Sequence, residues 1–149
     1  MPVDAEENRS GGFSAEERAA MQARAAELRA EKKGGAKKAE GLQAVLDSIA
    51  TMTAEDRALA ERVHVTVTST APELLPRTWY GMPAYANADG KVVVAFKNAG
   101  KFGQRYCTLE FQDPARLDDG DMWAVSFALV TWTPMVEEKV AELVGAAVS

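Results

Sequence analysis

The apolar residues of this chain change their spacing at Pro72: upstream they recur every three or four positions, and downstream they alternate. Leu42, Val45, Leu46 and Ile49 follow i, i+3, i+4, i+7 spacing, which predicts a packed helix beginning near Gly41 with all four on one face. Thr53, with Asp56 three residues on, predicts the start of a second helix. That helix carries Leu59, Val63 and Val67 until Pro72 forbids continuation, so two antiparallel helices joined by a tight turn are expected. Further upstream, Ser14 and Glu17 form a capping box, and the Ala, Glu and Arg content that follows favours a helix over residues 14–33. Its apolar stripe, Met21, Ala25 and Leu28, is thin, which predicts a loosely docked arm. Lys32-Lys33-Gly34-Gly35-Ala36-Lys37-Lys38 reads as a linker, because its glycines accept left-handed angles and its lysines repel one another.

Beyond Pro72, residues 78–85, 91–97, 104–111 and 122–129 hold the aromatic and β-branched side chains that suit strands. Asn87-Ala88-Asp89-Gly90 joins the first two with hairpin chemistry, and Gly100 and Gly103 bracket the next turn. Val92, Val94 and Phe96 face one way and Val93 and Ala95 the other, so the second strand is predicted to be central. Within 78–85, Gly81 and Pro83 interrupt the run, which predicts an edge position or a bulge there. Thr133 and Pro134 open a last helix that buries Val136, Val140, Leu143 and Val144. The expected fold is α+β. An antiparallel sheet of about four strands packs against two N-terminal-side helices and one C-terminal helix, preceded by an extra Ala-rich helix. The expected organisation is a charged extension over 1–41 and an α+β domain over 42–149.

With 149 residues, 47% hydrophobic and 26% charged, one core is expected. Cys107 has no intramolecular disulfide partner, the first twelve residues lack an apolar signal core, and no run is apolar enough to cross a bilayer. A cytoplasmic location follows as an expectation. The net charge of −5 resides in the domain, since residues 1–41 carry eight acidic and eight basic side chains. An acidic surface repels polyphosphate backbones, so no nucleic-acid partner is expected.

Trp79-Tyr80-Gly81-Met82-Pro83-Ala84-Tyr85, then Gly90-Lys91, Phe96, the Asp118-Asp119-Gly120 to Met122-Trp123 stretch and Phe127-Ala128-Leu129 carry a resemblance to a known family. Over roughly 41–149 the chain is similar to the bacterial YdhG-like family, a family of unknown function. The Phe13-Ser14-Ala15-Glu16-Glu17-Arg18 stretch also resembles an extension found in some actinobacterial relatives. The resemblance implies an α+β fold with an antiparallel sheet. One branch is described as a frataxin-like iron chaperone, which implies iron as a possible cargo. A frataxin-type acidic ridge takes several carboxylates on the first helix, where residues 42–52 offer only Asp47.

The densest acidic cluster is Asp113, Asp118, Asp119 and Asp121. Hard cations prefer such carboxylates around a Gly-containing turn, so Asp118, Asp119 and Asp121 are the candidate metal ligands, with Glu55, Asp56 and Glu61 as further carboxylates. The same pattern also suits a polar turn capped by its own Asp side chains. His64 and Cys107 are single, so a thiolate–imidazole pair is conceivable but a structural zinc site is not. Trp79, Tyr80, Met82 and Tyr85, with Trp123, are the candidate aromatic ligand pocket; the alternative is a plug of the sheet against the helices. Lys91 and Arg105, with Lys97, Lys101 and Arg77 nearby, could receive an anion or simply discourage edge aggregation. Neither a Walker loop nor a Gly-x-Ser-x-Gly elbow occurs. Three functions are therefore expected in turn: non-enzymatic binding of a small ligand or partner, iron handling through surface carboxylates, or protein interaction through the N-terminal helix.

Overall fold

The computed structural model describes residues 13–32 and 38–149. Among these the chain forms five helices, α1 (Ala15–Lys32), α2 (Lys38–Ala50), α3 (Ala54–Thr70), the one-turn α4 (Ala99–Phe102) and α5 (Pro134–Ala147). Five strands, β1 (Leu75–Trp79), β2 (Met82–Ala86), β3 (Val92–Lys97), β4 (Cys107–Phe111) and β5 (Ser126–Leu129), make one antiparallel sheet in the order β1-β2-β3-β4-β5. The fold is α+β as expected. No described helix is long and apolar enough to cross a membrane.

The fifth strand comes from the motif predicted as one strand over 78–85. Tyr80 (φ 53) and Gly81 (φ 78) both take left-handed backbone, the geometry of a tight two-residue hairpin turn, so the chain reverses and pairs Trp79 with Met82. The interruption is thus a turn. Pro83 sits in β2, which lies between β1 and β3, and is paired with Thr78. An irregularity at Tyr85/Ala86 marks the β2–β3 pairing.

Side chains on successive strand residues alternate between faces. Tyr85, Val94, Phe96, Leu109, Phe111 and Leu129 fall on one face and join Val63 and Val67 of α3 and Val140 and Val144 of α5 in the core. Each large side chain among them contributes about 1.5–3 kcal/mol by leaving water. The caps appear where the sequence places them: the Thr53 hydroxyl accepts from Asp56 N, and that of Thr133 from Val136 N. Asn87 Oδ1 accepts from Asp89 N and Lys91 N, closing the β2–β3 turn.

Two helices depart from expectation. On α2 only Val45 and Ile49 of the predicted stripe are buried, while Leu42 and Leu46 are exposed, because the helix packs on the β1 edge through Gly41, Val45 and Ile49. Helix α1 lies against β1 with Ala20 buried, although its stripe is poor. The missing bulk is itself the reason, since small side chains allow close approach and polar contacts supply the rest. The expected linker lies largely outside the described residues.

Candidate functional site

On the sheet face opposite the core, Trp79, Met82, Lys97 and Glu110 point toward α1. Phe13, Glu17, Ala20 and Met21 form the other wall of a cleft of about 300 Å³, which Tyr80 and Phe102 also line. The cleft is at the small end of ligand pockets in size and is mainly apolar, with three charged groups. Trp79 and Tyr80 meet edge to face with ring centroids 5.1 Å apart. The Lys97 ammonium sits 4.9 Å from the Phe102 ring centre, a cation–π arrangement. Glu17 is engaged by Ser14, whose oxygen accepts from Glu17 N at 3.1 Å while Ser14 N donates to Glu17 Oε1 at 2.9 Å. Those bonds, with the positive charge of Lys97, hold its carboxyl below the ordinary range.

The Tyr80-Gly81 turn beside the cleft is held from two sides. Glu27 of α1 accepts from Tyr80 N at 3.2 Å and Gly81 N at 3.4 Å, and Ser48 of α2 donates to Gly81 O at 2.8 Å. Arg24 lies over the Tyr80 ring, 6.0 Å from its centre, and also faces Glu27 at 3.6 Å. Lys101 comes close to Gly81, where an added Cβ would stand 2.7 Å from Nζ; burial lowers its pKa and Glu27 opposes that shift. A tyrosine in left-handed backbone is disfavoured by about 1–2 kcal/mol, so these contacts hold a strained residue in place.

Of the predicted ligand-binding residues, Trp79, Tyr80 and Met82 line this cleft. Tyr85 does not, because the pleat turns it to the core face, where it is 1% exposed and its hydroxyl lies 2.7 Å from His64 Nδ1. Burial pushes the phenol far up, so it stays protonated and donates; burial also lowers the His64 pKa and keeps the imidazole the acceptor. Trp123 is partly exposed just before β5, beyond the cleft lining. Lys91 lines a separate depression by the β2–β3 turn with Asp89, Asp113 and Arg116. The Arg105 guanidinium stands 5.2 Å from the Tyr106 ring centre instead. Phe13, Met21 and Phe102 were missed by sequence reasoning, since only tertiary packing of α1 and α4 brings them here.

Asp118, Asp119 and Asp121 are exposed around Gly120, which takes φ 69 in a turn. Among the described residues no three His, Cys, Asp or Glu side chains converge as a metal site. The conceivable His64–Cys107 pair does not form. His64 is engaged by Tyr85, and the Cys107 thiol donates to Asp56 Oδ1 at 3.3 Å, with burial first among the causes that raise its pKa to about 11. Asp56 Oδ2 also accepts from Gly100 N at 2.8 Å, so this carboxylate ties α3 to α4 and β4. Comparison with protein-family models, curated proteins and solved structures finds no match for this chain.

Proposed function

We propose that this chain is a non-enzymatic binding protein that takes a small planar molecule into the cleft between α1 and the outer sheet face. The observation that carries the proposal is the convergence of Trp79, Tyr80 and Met82 with Phe13 and Phe102 around one open volume. Aromatic faces and a thioether recognise a flat apolar body. Two carboxylates, Glu17 and Glu110, outnumber the single ammonium of Lys97 and favour a ligand that carries an N–H donor or an amine. The strained Tyr80 fits this assignment, because backbone strain collects where side chains are held for recognition. The YdhG-like resemblance remains part of the proposal and rests on the same Trp79 to Tyr85 stretch.

Isothermal titration with tryptamine, and with cyclohexylamine as a non-planar amine, tests this. Saturable heat with tryptamine that disappears in Trp79→Ala, while the variant keeps its circular dichroism spectrum, is expected. Equal heats for the two amines, or a Trp79→Ala variant that binds like the wild type, would contradict it.

A further inference from the structure

The two edges of the sheet are treated differently. β1 carries Pro76 and Arg77 and is backed by α2, which approaches so closely that a Cβ on Gly41 would fall on the Pro76 carbonyl oxygen. Proline, charge and a covering helix are the usual protections of a strand edge. β5, the other edge, has none of these among the described residues. From residue 122 to 136 the sequence has no charged side chain, and the first proline after Met122 is Pro134, where α5 begins. Met122, Trp123, Val125, Val130 and Met135 are exposed along this stretch, Met122 by 89% and Met135 by 82%.

The open side of β5 has usable hydrogen-bonding groups. Phe111 N donates to Val125 O at 2.7 Å, so Val125 turns its backbone groups to β4, and alternation aims those of Ser126 and Ala128 away from the sheet. From these observations we propose that two copies of this chain pair antiparallel through β5, forming a continuous ten-stranded sheet about a twofold axis. Only residues with outward groups can exchange hydrogen bonds, which restricts the register to those that set Ser126 or Ala128 opposite one of the same two residues in the second copy.

Charge at this edge does not oppose a second copy as the occupant. Each chain carries a net charge of −5, and this uncharged stretch lets two copies meet without setting charged side chains against each other. Residues 1–12 of the same chain, with three acidic groups and one basic, match an apolar edge poorly. The area available reaches what a dimer needs: fully covered, the five exposed residues would contribute roughly 600 Å² per copy, so two copies reach about 1,200 Å², the lower bound of specific interfaces.

Sedimentation equilibrium of the full chain over a range of concentrations tests the pairing, beside Ala128→Lys and Val130→Lys. A dimer is expected for the wild type, with the Ser126 and Ala128 amides protected from exchange. The Lys variants bring like charges together and should dissociate at least about tenfold more readily, with the far-UV spectrum unchanged. Three outcomes overturn the proposal: a wild type that stays monomeric throughout, a dimer indifferent to both Lys variants, or a monomer whose Ser126 and Ala128 amides are nonetheless protected.

Discussion

Glu27 and Tyr80 are joined across 53 residues of sequence: the carboxylate accepts the backbone N–H of Tyr80 at 3.2 Å and, with its second oxygen, that of Gly81 at 3.4 Å. One side chain of α1 thereby satisfies both amides of a left-handed turn and fixes the helix over the cleft. Hydrogen bonds to a charged acceptor contribute about 1.5–3 kcal/mol each when intact. Glu27→Ala should therefore raise amide exchange at Tyr80 and Gly81 by about tenfold or more, while Phe96 and Leu109 in the core keep their protection. Unchanged exchange at the turn would show that α1 is held by other means.

A pH dependence follows from His64 and Tyr85. Burial lowers the folded pKa of His64 below its unfolded value, so the unfolded chain takes up the proton first as pH falls. Stability is full above about pH 6.5, is lost as pH falls from there through the folded value, and then levels. Protonation also removes the lone pair that accepts from the Tyr85 hydroxyl. Melting curves should show this decline setting in at about pH 6.5, the ordinary histidine value, and continuing below it, and His64→Gln should flatten it. An equal decline in His64→Gln would assign the effect to other groups.

The close approach of α2 to β1 predicts opposite results for two glycines. Gly41→Ala forces a Cβ onto the Pro76 carbonyl and should cost about 1–3 kcal/mol. Gly145→Ala, in α5, meets only the Thr70 methyl at 3.8 Å and should gain up to about 1 kcal/mol of helix propensity. Denaturant midpoints of the two variants check both signs.

Much of the fold is legible because it rests on local rules. The capping of α3 and α5, the Asn87–Gly90 turn and the central place of β3 follow from side chains within a few residues of one another. The site was less legible because face assignment depends on where the chain turns. In a single strand Trp79 and Met82, three residues apart, would face opposite ways; the Tyr80-Gly81 reversal pairs them instead. Within β2 the pleat separates Met82 from Tyr85, one lining the cleft and the other buried beside His64. A tyrosine in left-handed backbone is not a turn signal that composition announces, because Asn, Asp and Gly are the usual residues there. Helix α1 was underestimated for a related reason. Its docking rests on Ala20 and on the carboxylate of Glu27, which an apolar stripe does not count.

The cleft carries its own reporters. Met21 and Met82 line it, whereas Met122 and Met135 stand exposed along the β5 side and outside it. Titrating the full chain, labelled with ¹³C at its methionine methyls, with tryptamine therefore separates occupancy of the cleft from general surface effects. Saturable shifts of Met21 and Met82 with Met122 and Met135 unmoved are the predicted result. Silence at Met21 and Met82, or shifts shared with Met122 and Met135, would contradict a ligand site between α1 and the sheet.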